Sequence, residues 1–192
     1  GYKNLIKLVS KSWIDGYYYR PRTDRTELEK YHEDLIVCSA CIAGEVPSKI
    51  IKGDLEGARE ACEWYHHVFG DDYYLELQRH EVKDPTILAN REAFPLQQKA
   101  NKVLLEFAKE YGIKVICTND VHFEDKETAE AHDHLLCLST GKDLDDPNRM
   151  RYSKQEWFKS REEMNEVFSD VPEALTNTLE ILNKVEHYSI EH

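Results

Sequence analysis

Leu5, Ile6, Leu8, Val9 and Trp13 recur at the three- and four-residue spacing of an amphipathic helix, and Gly16 follows as its stop. The next segment, Gly16-Tyr17-Tyr18-Tyr19-Arg20-Pro21-Arg22, cannot extend that helix, because Pro21 drives the residue before it toward extended backbone. An aromatic loop is expected there. Asp24 is placed to cap a helix running to about His32. Leu35-Ile36-Val37-Cys38-Ser39 is a short β-branched run of the kind found in a strand covered on both faces. Val46 to Ile51 predicts a short helix ended by Gly53, Leu55 to Phe69 a longer one ended by Gly70, and Tyr73 to Leu77 a second strand. The polar stretch from Glu81 to Pro95, punctuated by Pro85 and Pro95, reads as a long loop with one turn of helix. Leu96 to Tyr111 is again amphipathic, and Ile113 to Thr118 is a third strand. Strand, helix and strand in that order is the βαβ pattern of a parallel sheet or barrel. Beyond Phe123 the pattern becomes helical: Glu127 to Ser139, then a polar loop from Asp143 to Arg149, a capping box at Ser160-Arg161-Glu162-Glu163, and a proline-started helix at Asp170-Val171-Pro172-Glu173.

Composition narrows the class. A chain of 192 residues suits one domain, or one domain with a helical appendage. Hydrophobic residues at 41% and charged residues at 32%, with 8 Gly and 6 Pro, exclude fibres and disorder. The apolar runs are of strand length, far short of the ~20 residues that span a bilayer, so no membrane is expected. The net charge of −12 would repel a phosphate backbone unless basic residues gather on one face, which argues against autonomous nucleic-acid binding. Five cysteines, an odd number, imply a reducing, cytoplasmic compartment. The start, Gly1-Tyr2-Lys3, has no Met and no signal-peptide core and is already helical in pattern, so a cut through a longer protein is expected.

In a parallel α/β array the C-terminal strand ends and the loops beyond them converge on one rim, where sites are built. The three expected strands run into Cys38-Ser39-Ala40-Cys41, into Gln78-Arg79-His80, and into Thr118-Asn119-Asp120-Val121-His122, so each rim position offers a metal-capable side chain. In extended backbone Asp120 and His122 project from one face, and could share a metal or form a charged pair on a loop. Cys38-x-x-Cys41 lacks the second pair that a closed zinc site needs, which leaves Cys38 as core and Cys41 facing the rim. His66-His67 and His132-x-His134 sit in expected helices, where such spacings do not share a face. The tyrosines at 17 to 19, beside two arginines, either pack the rim or stack on a base. Gly141-Lys142 lacks the preceding glycine of a phosphate loop.

Five stretches occur in order: Gly16-Tyr-Tyr-Tyr-Arg-Pro-Arg22, Ser39-Ala-Cys-Ile-Ala-Gly-Glu45, Phe69-Gly-Asp-Asp-Tyr-Tyr-Leu-Glu-Leu-Gln-Arg-His80, Thr118-Asn-Asp-Val-His-Phe123 and Gly141-Lys-Asp-Leu-Asp-Asp-Pro-Asn-Arg-Met150. Together they strongly resemble the polymerase and histidinol phosphatase (PHP) domain of the bacterial replicative DNA polymerase III alpha-subunit family, over essentially the whole chain. The resemblance implies an α/β fold, the C-terminal part of a distorted (β/α)7 PHP barrel over residues 1–124, its first strands absent, with a helical extension over 125–192 leading toward a polymerase palm. It implies a rim cluster of divalent metals, zinc, manganese or magnesium, and metal-dependent phosphoester hydrolysis, including 3′–5′ exonuclease proofreading, in members that keep the site. Cys41 falls on the family's cysteine ligand, Asp120 and His122 on its final Asp-x-His pair, and His80 sits at a strand end near the rim. The family's opening His-x-His and several further ligands are not in this sequence, so the chain alone is expected to hold metal weakly and to be inactive. Implied partners are DNA and dNTPs through the parent polymerase and the other polymerase III holoenzyme subunits; self-association through an exposed sheet edge is a further expectation. A free-standing PHP-type phosphoesterase and a non-catalytic structural or partner-binding domain are the competing readings.

Overall fold

A computed structural model describes residues 1–82 and 88–189, without the side chains of residues 88–92. The elements run α1 (Tyr2–Ile14), α2 (Arg25–Lys30), β1 (Val37–Cys38), α3 (Glu45–Lys52), α4 (Leu55–Phe69), β2 (Tyr73–Leu77), α5 (Leu88–Tyr111), β3 (Val115–Cys117), α6 (Ala129–Thr140), α7 (Arg161–Val167) and α8 (Pro172–Lys184). The three strands form one parallel sheet in the order β1-β2-β3, with Val37 opposite Tyr73 and Leu75 opposite Val115. The mixed α/β class and the parallel βαβ pairing follow the sequence pattern.

Two expectations need correction. The first strand pairs only over Val37–Cys38, and both residues are half-buried rather than covered on two faces. It is an edge strand, and left-handed backbone at Asp34 (φ 59°) and Ala40 (φ 62°) turns the chain away at either end. The loop expected over 81–95 is in part the start of α5, which begins at Leu88 and carries Pro95 inside it. An internal proline forfeits a helical hydrogen bond at a cost of about 3 kcal/mol. The burial of Ala100, Leu104 and Phe107 along the same helix offsets that cost. Residues 83–87 of the expected loop lie outside the described residues.

Alternation along β2 sends Tyr73, Leu75 and Leu77 into a core shared with Ile50 of α3, Cys62 of α4 and Phe107 of α5. Glu76 takes the other face with Tyr74. Ser39 extends the β1–β2 pairing on both sides, its amide donating to the Tyr74 carbonyl and its hydroxyl accepting from the Glu76 amide (3.0 and 2.8 Å). At the far side, Asn177 of α8 donates to the Val115 carbonyl (2.8 Å), and Phe168, Val171 and Ala174 enter the same core. Helix α8 thereby covers the edge of β3, one of the ways a sheet edge is protected. Arg79, two residues past β2, pairs bidentately with Asp170 (2.5 and 2.9 Å) and lies over Phe168, tying the strand end to the start of α8.

Candidate functional site

The C-terminal ends of the three strands open on one rim. After β1 the chain makes a tight loop in which the Gly44 amide donates to the Cys41 carbonyl (2.8 Å). A Cβ on Gly44 would stand 2.2 Å from the Ser39 carbonyl oxygen, so only glycine closes this loop and leaves Cys41 half-buried at its tip. Cys38 stays in the sheet, its thiol pushed up to about 11 by burial and then by Glu76.

After β3, Asp120 adopts left-handed backbone (φ 45°), and its Oδ1 lies 3.5 Å from His122 Nε2. The pair is therefore brought together by a turn, not by the extended backbone that the spacing suggested. Both side chains are about one-third exposed, 38% and 34%. The His122 amide donates to the Glu156 carbonyl (2.8 Å), and its ring is packed by Tyr152 (centroids 4.4 Å apart) and His132 (5.8 Å). Burial, and then the negative fields of Asp120, Glu156 and Cys41, push the Tyr152 hydroxyl up, which puts Cys41 in the same electrostatic neighbourhood.

His80 is 4% exposed and both ring nitrogens have protein partners. Nδ1 faces the Gln97 amide nitrogen (3.0 Å) and Nε2 the Asn119 carbonyl (3.1 Å). That arrangement fits a neutral ring that donates from Nε2. Burial pulls its pKa down, against the raising field of Glu156 at 3.4 Å. Asn119 anchors the segment 151–159 above the rim: its Nδ2 donates to the carbonyls of Gln155 and Trp157 (both 2.8 Å), and its Oδ1 accepts from Lys159 Nζ (3.1 Å). Glu156 in turn accepts from the Ser153 hydroxyl (2.5 Å) and the Gln155 amide (2.9 Å). Lys159 lies over Trp157 at 3.6 Å and is pulled down to about 8 by burial.

A carboxylate oxygen and an imidazole nitrogen, each about 2.1 Å from one tetrahedral ion, stand roughly 3.4 Å apart, so the Asp120–His122 pair fits two corners of such a site. Among the described residues no three His, Cys, Asp or Glu side chains assemble into a metal-binding group. The structure thus joins Asp120 to His122, leaves Cys41 near but outside the pair, and seats His80 among protein hydrogen bonds. Sequence reasoning gave no role to Asn119, although it lies within the Thr118–Phe123 stretch, and missed Tyr152 and Glu156, which lie in none of the five stretches. It set His132 and His134 aside as a pair that shares no helix face, and did not foresee that the fold turns His132 toward His122.

Residues 1–80 match the PHP domain family. Over nearly its whole length the chain is similar to proteins described as DNA polymerase III subunit alpha. It is 43% identical to that of Borreliella burgdorferi over 191 residues, covering 99% of the chain and 16% of the relative. It is 42% identical to that of Campylobacter jejuni, covering 96% of the chain and 15% of the relative. With Thermus aquaticus the identity is 36%, covering 94% and 14%. The chain spans about a sixth of the length of the curated relatives it matches. Among the described residues no helix is long and apolar enough to cross a membrane.

Proposed function

This chain is a relative of the PHP-bearing region of bacterial DNA polymerase III alpha subunits, and on that premise we propose that it is one wall of a divalent-metal centre for phosphoester hydrolysis in a cytoplasmic replicative polymerase. In this reading residues 1–124 are consecutive staves of a (β/α)7 barrel, and residues 125–192 lead toward the polymerase palm. Asp120 and His122 contribute an oxygen and a nitrogen donor, Cys41 a third from the loop after β1, and the remaining ligands come from elsewhere in the parent polypeptide. The observation that carries the reading is the Asp120–His122 approach of 3.5 Å at the C-terminal end of β3. Bound zinc, manganese or magnesium would supply activated water and charge stabilisation at the scissile phosphate. The chain's own part is positional. Tyr152 and His132 hold the His122 ring, the Glu156 carbonyl holds its backbone, and Asn119 holds the segment carrying Glu156. DNA and dNTPs, and the other holoenzyme subunits, are the partners this reading assigns to the parent.

The seating of His80, whose two ring nitrogens both have hydrogen-bond partners within the protein, favours a second reading in which the region is structural. Metal content and 3′–5′ hydrolysis of the full-length parent separate the two, measured beside Asp120→Ala and His122→Ala. Loss of both properties in both variants, with polymerisation retained, supports the hydrolytic centre. Unchanged metal content and unchanged hydrolysis support the structural domain.

A further inference from the structure

The aromatic loop after α1 is not used by the metal-rim reading. Gly16 begins it in a close approach: a Cβ there would stand 2.0 Å from the Arg22 carbonyl oxygen, so the loop folds back on its own base only because residue 16 is glycine. The Arg22 amide donates to the Ser12 carbonyl (3.4 Å) and the Tyr18 amide to the Arg20 carbonyl (3.1 Å), which pins both sides of the turn. Held this way, the rings point outward. Trp13, Tyr17, Tyr18 and Tyr19 are 58, 54, 64 and 82% exposed, where rim packing would have buried them. Trp13 and Tyr17 lie nearly parallel at 5.8 Å, and the Arg22 guanidinium covers the Tyr18 ring at 4.8 Å.

Charge adds a second observation. Arg20 and Arg22 lie in the loop itself and have no carboxylate partner among the described residues, whereas Lys11 is taken up by Asp15 and Glu27 and Arg25 by Glu45. Two guanidinium groups thus stand beside the exposed rings, in a chain whose net charge is −12. Three residues past the loop, Arg25 at the start of α2 binds Glu45 (2.8 Å), the first residue of α3 after the Cys41 loop.

We propose that this loop docks single-stranded nucleic acid, with bases stacking on Tyr17, Tyr18 and Tyr19 while Arg20 and Arg22 meet the phosphates. Flat aromatic faces with interleaved guanidinium groups suit unpaired bases of any sequence, and a local positive charge suits the backbone. A duplex keeps its base faces stacked internally and gains only the phosphate contacts. The proposal goes beyond the hydrolytic reading and needs no metal.

Photo-crosslinking tests it in the full-length polypeptide that carries this sequence, in EDTA so that binding is read apart from hydrolysis. The probe is a single-stranded oligodeoxythymidylate bearing 5-iodouracil, with crosslinks mapped by mass spectrometry. The expected result is crosslinking at Trp13 or Tyr17–Tyr19 that fades with added salt and is outcompeted by unlabelled single strand better than by duplex. Tyr18→Ala with Tyr19→Ala should cut the loop crosslink at least ~10-fold. Arg20→Gln with Arg22→Gln, which leaves the rings in place, should flatten its salt dependence by about one to two in log–log slope. Absence of any crosslink in the loop overturns the proposal. So does protection of the loop tyrosines from nitration before DNA is added, which would assign the surface to a polypeptide partner.

Discussion

Asn119→Ala removes the side chain that holds segment 151–159 over the strand ends. Asn119 is 6% exposed and donates twice, to the Gln155 and Trp157 carbonyls at 2.8 Å. Each such bond contributes about 1 kcal/mol net, and a buried carbonyl left without a donor costs about 1–3 kcal/mol more. Alanine also strips Lys159 of its Oδ1 acceptor, although Lys159 keeps the Gln155 carbonyl and the Trp157 ring. The expected loss is therefore about 3 kcal/mol, roughly a hundredfold in the folding constant. Urea unfolding followed by far-ultraviolet circular dichroism reads the loss. Hydrogen exchange reads its location, with the largest rise in residues 151–159. Asn119→Asp is the informative companion, because it keeps an acceptor for Lys159 but cannot donate to either carbonyl. It should lose more than half as much as alanine. A loss below about 0.5 kcal/mol for Asn119→Ala, or a neutral Asn119→Asp, would refute the assignment of the segment's position to these two donors.

Asp133→Ala leaves Arg149, whose side chain is 8% exposed, without its bidentate partner at 2.5 and 2.7 Å, and should cost about 3 kcal/mol in urea unfolding. The Arg149 hydrogen bond holds the Asp133 carboxyl below its usual range, so this contribution is complete above the ordinary carboxylate pKa and is lost as pH falls through the folded one. His80 has the opposite chemistry: burial lowers its pKa, so the unfolded chain binds the proton first as pH drops below about 6.5. Stability should fall from pH 7.5 toward pH 5, and His80→Gln should flatten that part of the stability–pH curve measured by urea titration. Ala40 sits at φ 62°, so Ala40→Gly should gain up to about 1 kcal/mol, read as a higher urea midpoint at unchanged slope, despite the added freedom of the unfolded chain.

Most helices and strands were legible in the sequence because each carried its own local signal. Asp24 accepts from the Glu27 amide (2.9 Å), Ser160 and Glu163 form the reciprocal capping box, and Gly53 closes α3 in left-handed backbone, all within a few residues of chain. Strand β2 and the span of α4 were readable for the same reason. The start of α5 was not, since Pro95 is a strong local stop overridden by packing that only the folded chain supplies. The site divides in the same way. Asp120 and His122 were visible as a pair of metal-capable side chains at a strand end. The groups that hold them were not, because Asn119 reaches 36 and 38 residues along the chain for its acceptors, a distance at which no spacing rule operates.

The geometry of Asp120 shows why those distant anchors matter. Two residues apart on an extended strand, side chains are rooted roughly 6–7 Å from each other, and their donors meet only by leaning together. Left-handed backbone at Asp120 shortens the span and brings Oδ1 to 3.5 Å from His122 Nε2. A non-glycine residue in that conformation costs about 1–2 kcal/mol, so the turn persists only if both flanks are fixed. They are fixed by one segment: Asn119, just before, binds the carbonyls of Gln155 and Trp157, and His122, just after, donates to the carbonyl of Glu156. Three successive carbonyls of 155–157 thus bracket the strained residue. The segment after α6 acts here as the clamp that makes Asp120 and His122 a pair, whatever else it leads to in a longer chain.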